Sequence, residues 1–227
     1  MIKFRTEITK GEEIRYISHL DYASLMERAI RRAKLPAAYS EGFNPHMKIA
    51  FASALAVGVT SDAEYMDIEL TKPVCQPEFF DKLSAALPNG VKLLKAREFD
   101  GKAKALMAVA DLADYEIKTK LTGAFSAAIE AVKAFNSADE AVYTRTMLKK
   151  VKTIEAKQYM LAPIELKECE ENLVLEMQIR ITPSGSIKPG EVLSLLKEQF
   201  SLTVDVEGAK INRKGLYSGK KTLIDLV

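Results

Sequence analysis

The chain contains two histidines, His19 and His46, and they flank a stretch carrying Arg28, Arg31 and Arg32. Two imidazoles sharing one cleft could act as an acid–base pair on a phosphoester or modified nucleoside, with Arg28 or Arg32 countering developing charge. Asp21, Arg28 and Arg32 are separated by seven and then four residues, so a helix would line them along one side, with Arg31 on the flank. Guanidinium forks on such a face suit phosphate or carboxylate oxygens, and a solvated surface needs the same residue types. His19 would occupy the first helical turn, where the positive end of the helix favours the neutral imidazole. Asp21 could serve the helix cap or orient a bound group.

The segment after this stretch packs Ser40, Glu41, Gly42, Phe43, Asn44, Pro45 and His46 together. Gly42 permits a backbone turn with positive φ, and Pro45 stiffens the chain before His46. Phe43 could anchor into the core or offer a stacking surface. Asn44 could bond its own backbone or read a base edge. His46 could be a core-edge histidine, a general base or a metal ligand. The metal reading is the weakest, since there are only two histidines and neither has a cysteine near it in sequence. No metal and no cofactor is expected. Lys48 follows as a further candidate for anion binding, and Asp62 and Glu64 as acids that could neutralise the arginines.

These residues need elements to hold them. Residues 2–8 alternate as a strand, and Ser18 with Asp21 three residues on reads as a helix cap. The helix spans 18–33, with Leu20, Ala23, Met26, Ile30 and Ala33 toward the core, and Pro36 ends it. Strands at 48–55 and 64–70, a helix at 77–87 opened by Pro77 and a strand at 91–99 complete a β-α-β-β-α-β order. The second half repeats it: a strand at 112–121, a helix capped by Thr122, extended segments at 141–151 and 156–166, a strand at 173–181, a helix opened by Pro189 and a strand at 204–211. The expected fold is α+β, with two tandem ferredoxin-like domains, each an antiparallel sheet with both helices on one face. The expected boundaries are 1–99, a linker at 100–111, and 112–227 with a basic tail. In that tail, Asn212 to Tyr217 reads as a turn whose Arg213 and Lys214 could meet phosphate and whose Tyr217 could stack a base, or as a packed extension.

At 227 residues, 48% hydrophobic and 28% charged, the composition is that of an ordinary globular protein. The net charge of +2 says little about partners. Its distribution says more: Arg28, Arg31, Arg32 and Lys34 form one basic cluster, and Lys149, Lys150 and Lys152 another. No apolar run reaches membrane-spanning length. Cys75 and Cys169 form no CxxC pair, so free thiols and a cytoplasmic location are expected. There is no GxGxxG, no P-loop and no CxxxCxxC cluster signature.

The stretches RYISHLD, ERAIRRAKLP, YSEGFNPHMKIAFASALAVG and SDAEYMDIEL resemble the radical-SAM-linked bacterial domain of unknown function, DUF2344. The resemblance is distinct from Lys3 to about Leu70 and looser beyond. Its pattern falls on Arg15, Ser18, His19, Asp21, Arg28, Arg32, Ser40, Glu41, Gly42, Phe43, Asn44, Pro45 and His46, and continues through Lys48, Gly58, Ser61, Glu64 and Asp67. Many members carry proline where this chain has Met47. The resemblance implies a radical SAM partner and a place near RNA or translation, and it supplies no role for any residue. The leading expectation is a noncatalytic RNA- or nucleotide-binding module: Arg28, Arg31, Arg32 and Lys48 hold phosphate, while Asp21, Glu41, Phe43 and Asn44 contact a base or substrate. Two alternatives stand beside it, an enzyme using His19 and His46, and a scaffold that docks a radical SAM protein.

Overall fold

The computed structural model describes residues 2–147, 150–170 and 172–227. It is an α+β protein with a mostly antiparallel sheet. In chain order the elements are β1 (Ile2–Lys10), α1 (His19–Arg32), β2 (Ile49–Phe51), β3 (Val59–Leu70), α2 (Gln76–Ala86), β4 (Leu93–Phe99) and α3 (Leu106–Val109). They continue with β5 (Leu112–Lys120), α4 (Phe125–Ser137), β6 (Val142–Met147), β7 (Lys150–Glu155), β8 (Glu165–Cys169), β9 (Asn172–Arg180), α5 (Pro189–Phe200), β10 (Lys210–Ser218) and β11 (Lys221–Thr222). Two compact units emerge. One comprises residues 1–111 with 213–227, the other residues 112–212. The expected division placed 213–227 in the second domain. The structure groups it with the first, where β10 neighbours β3 and Arg213 pairs with Glu64.

In the first unit the order is β4-β1-β3-β10, with the short β2 also on β3 and β11 on β10. Register decides which side chains meet. Phe4 faces Ile68, Ile8 faces Glu64 and Arg5 faces Asp67. One row, with Phe4, Ile8, Met66 and Ile68, packs beneath α1 and α2 and is fully buried. The opposite face is covered as well. A turn over Leu223–Leu226 buries Leu223 and Ile224, and α3 buries Leu106. The fully buried Arg5 pairs with Asp67 at 2.8 and 2.9 Å and donates to the Leu223 carbonyl at 3.1 Å. With both faces covered, β3 buries both parities, which is why Tyr65 and Met66 break its apparent period.

Helix α1 begins as its cap predicts. The Ser18 hydroxyl oxygen accepts from the Asp21 N–H at 3.1 Å. Its buried stripe is Tyr22, Met26, Ala29 and Ile30. Leu20, expected in the core, is 76% exposed. Tyr22 takes its place by sending its hydroxyl to the Thr9 carbonyl at 2.8 Å. The helix closes through Lys34 at φ 54°, which lets the Leu35 N–H reach the Ile30 carbonyl.

In the second unit β5 pairs with β9, β9 with β8, and Val204 bridges antiparallel to Leu121. A separate β6–β7 pair stands where an extended segment was expected at 141–151. Helix α4 is capped at Ala124, not Thr122. Its Ala128, Val132 and Phe135 share a core with Val192, Leu195 and Leu196 of α5 and Leu173, Leu175 and Met177 of β9. The expected strand at 204–211 is displaced: β10 spans the stretch read as a turn. Gly215 fits there because a Cβ would lie 2.5 Å from the Tyr217 hydroxyl. Lys149 and the side chain of Lys150, part of the second basic cluster, lie outside the described residues.

Candidate functional site

The residues singled out in the sequence fall into two groups at opposite ends of α1. The first surrounds the loop over residues 40–46. Its base is pinned reciprocally: the Ser40 N–H donates to the His46 carbonyl at 2.8 Å, and the His46 N–H donates to the Ser40 hydroxyl at 2.9 Å. A bridge between Tyr39 and Met47 extends that pinning. Gly42 takes φ 112°, a left-handed value that side chains rarely adopt. Glu41, Phe43, Asn44, Pro45 and His46 are all exposed, and Phe43 is as open as in an extended peptide. The aromatic ring is therefore not a core anchor.

The cations of the last helical turns differ in how they are held. Arg31 donates to the Tyr39 hydroxyl at 3.2 Å and to Glu27 at 3.1 Å, which ties it to the base of the loop. Arg28 is exposed and has no partner among the described residues. Arg32 donates to the Ala86 carbonyl at 2.8 Å, and Lys48 pairs with Glu69 at 3.1 Å. Of the four cations expected to form a clamp, Arg28 alone has no partner among the described residues, and Arg31 is the one bonded to the base of the loop. Arg32 and Lys82 line an open hollow of about 470 Å³ between the ends of α1 and α2. Both of these cations are already engaged, Lys82 with Glu78 at 2.6 Å and Arg32 with the Ala86 carbonyl.

The second group lies at the start of α1. His19 is half-buried with its ring edge-on to Phe51, centroids 5.2 Å apart. Burial holds its pKa below the ordinary histidine value. Glu64 opposes that shift, and Arg213 and Lys10 add to it. Neither ring nitrogen has a hydrogen-bond partner among the described residues. Asp21 is exposed and accepts from the Ser18 hydroxyl at 2.7 Å, so it serves the cap.

His19 and His46 do not meet. His19 starts α1, whereas His46 adjoins the Tyr39 segment that touches its end, and fourteen residues of helix span about 20 Å. The five residue steps from His46 to Phe51, when extended, span roughly 16 Å, which agrees. The expected acid–base pair is not formed, because the helix that carries one imidazole separates it from the other.

Sequence reasoning missed a buried polar cluster beside His19. Glu64 is 2% exposed and accepts from one Arg213 nitrogen at 3.0 and 3.1 Å. That nitrogen also donates to the Ser53 hydroxyl at 2.8 Å. Lys10, 1% exposed, donates to the Arg15 and Ile17 carbonyls at 3.0 and 3.1 Å. Arg15 donates twice to the Gly58 carbonyl. Burial lowers the Lys10 pKa, Glu64 opposes this, and Arg15 and Arg213 reinforce it. The acids expected to neutralise the α1 arginines act here instead, Glu64 on Arg213 and Asp62 on Lys214 at 3.1 Å. The phosphate-binding role considered for Arg213 and Lys214 is accordingly replaced by ion pairing. Period-two burial of Lys10 and Glu64 was the signal available in the sequence. Their charge masked it.

A family model spanning residues 3–189 matches this chain. The chain belongs to the family described as "Uncharacterized protein conserved in bacteria (DUF2344)". No curated protein matches this DUF2344 chain. Among solved structures it is similar to a chain of the "Crystal Structure of a Cbf5-Nop10-Gar1 Complex", with TM-score 0.50 and 10% identity over 94% of this chain and 50% of that one. It is also matched to a chain of the "Crystal structure of the archaeal box H/ACA sRNP Nop10-Cbf5 complex", with TM-score 0.44 and 9% identity over 91% of this chain and 46% of that one. A third match is the "Crystal Structure of an Unknown Protein from Galdieria sulphuraria", with TM-score 0.26 and 12% identity over 94% of this chain and 98% of that one. The DUF2344 chain spans about half the length of the first two. At such identity the first likeness is one of fold.

Proposed function

We propose that this protein is a noncatalytic RNA- or nucleotide-binding accessory module, working in the cytoplasm with a radical SAM enzyme in RNA modification or processing. The observation that carries the reading is the pinned loop over residues 40–46. It holds Phe43 fully in solvent and Arg31 at its base, with Arg28 one turn away on α1. A large aromatic ring kept out of the core by a rigid turn offers a stacking face, and neighbouring guanidinium groups attract phosphate. The ferredoxin-like description of both units is part of the same reading. The β4-β1-β3 order with β2 on β3 supports it in the first unit, and the β5-β9-β8 order in the second. RNA-binding modules of that topology use sheet aromatics. Here α3 and the Leu223–Leu226 turn cover the sheet face of the first unit, so contact falls to the loop and helix instead.

The test is fluorescence anisotropy with labelled RNA across a salt series. Arg28→Glu together with Arg31→Glu is expected to weaken binding about tenfold or more and to flatten the log–log salt slope by roughly 0.7 for each phosphate that is no longer neutralised. Unchanged affinity and slope would remove the reading. A scaffold role is favoured by a different observation: Tyr16, Leu20 and Val57 are large apolar side chains left exposed near the start of α1. Capture of a radical SAM protein that is abolished by Leu20→Glu, with RNA affinity intact, would select that alternative.

A further inference from the structure

We infer that the ligand of the 40–46 loop is a single-stranded RNA segment, in which one unpaired base stacks on Phe43 and an adjacent phosphate meets Arg28 or Arg31. This rests on the RNA-binding reading above and narrows it from nucleotides and RNA in general to one class.

The shape of the loop makes the choice. Phe43 projects from a turn whose other exposed residues, Glu41, Asn44 and Pro45, are flanked by the pinned Ser40 and His46. A ring this exposed has no wall facing it. A free mononucleotide would gain one stacked face and little else. Bases inside a duplex already stack on each other and present no open face. An unpaired base within a strand can leave its neighbours for the ring, and its phosphates then fall where backbone-tracking cations help. The cations placed for this are Arg31, fixed through Tyr39, and Arg28, which has no partner among the described residues. Asn44, next to the ring, carries a donor and an acceptor for the edge of that base. The pinned base of the loop lowers the ordering cost of binding, because the loop is already shaped before the strand arrives.

The experiment titrates the full chain into an end-labelled RNA of about ten nucleotides, within the usual range of single-strand sites. The same sequence annealed to its complement and free uridine monophosphate serve as competitors. The variants are Phe43→Ala, Phe43→Tyr and the Arg28→Glu/Arg31→Glu pair, with circular dichroism to check folding of each. Phe43→Ala is expected to weaken single-strand binding about tenfold, a typical effect of removing one base–aromatic stack, while Phe43→Tyr retains it. Duplex and mononucleotide are expected to compete poorly. The inference is overturned if duplex binds as tightly as the single strand. It is also overturned if Phe43→Ala binds like wild type while the paired arginine variant loses affinity, a result that would leave the basic helix surface standing. If no RNA binds wild type at all, the proposed function fails, and this narrower statement with it.

Discussion

Glu64 is the acid of the buried polar cluster beside His19. Arg213 bonds it directly, and Lys10 and His19 lie within its electrostatic reach. Replacing it by glutamine leaves buried cations without their acid, and breaking a buried pair in this way costs about 3–5 kcal/mol. Glu64→Gln is therefore expected to lower the denaturation midpoint strongly. A midpoint equal to wild type would show that the pair contributes nothing. His19 adds a pH dependence. Its folded pKa lies below its unfolded value near 6.5, so the unfolded chain binds the proton first. The stability it contributes is complete above that value and is lost as pH falls through the folded pKa. A series of denaturant melts from pH 7.5 to about 5 should show this decline, and His19→Gln should flatten it. At this scale the sequence was readable where chemistry is local: the Ser18–Asp21 cap formed as its spacing implied. It misled at Leu20 and Tyr22, because a tyrosine that finds a carbonyl for its hydroxyl is buried at a position that periodicity alone assigns elsewhere.

Among the elements, the segment leading into α1 and the loop over 53–58 are held by buried cations. Arg213 fixes the Ser53–Ala54 end, and Arg15 fixes Gly58. Lys10 secures the Arg15 and Ile17 carbonyls just ahead of α1. Arg15→Met keeps much of the side-chain volume and removes the guanidinium, leaving the Gly58 carbonyl without that donor. Removing such a charged hydrogen bond costs on the order of 1.5–3 kcal/mol. Hydrogen exchange should report it as faster opening of the 53–58 segment, with α2 little changed. Equal protection in both forms would show that the loop is held by other means. The 40–46 loop follows another rule. Its Gly-Phe-Asn-Pro order announced a turn, and the turn is there. The exposure of Phe43 was not legible, since a phenylalanine beside a turn is equally suited to being an anchor.

For the molecule, the division into residues 1–111 with 213–227 and residues 112–212 has a consequence for folding. The second unit encloses its own core between α4, α5 and β9. The first depends on the returning chain for Arg213, Leu223 and Ile224. A fragment over 112–212 is expected to unfold cooperatively by itself. Truncation after Asn212 should abolish the cooperative transition of the first unit. A truncated chain that keeps two sharp transitions would refute that dependence.

The element order up to residue 99, the cap of α1 and the presence of the glycine-proline turn followed from sequence alone. They are set by neighbours a few positions apart, through hydrogen bonds and periodic burial that operate within one turn or one strand. Which acid meets which cation, whether Phe43 points inward and where the last strand lies were decided only in three dimensions. Glu64 and Arg213 stand 149 positions apart, and no local spacing encodes a contact that arises when β10 is laid beside β3. The same separation in space keeps His19 from His46: a rigid helix that is easy to read as a pattern acts, once folded, as a spacer.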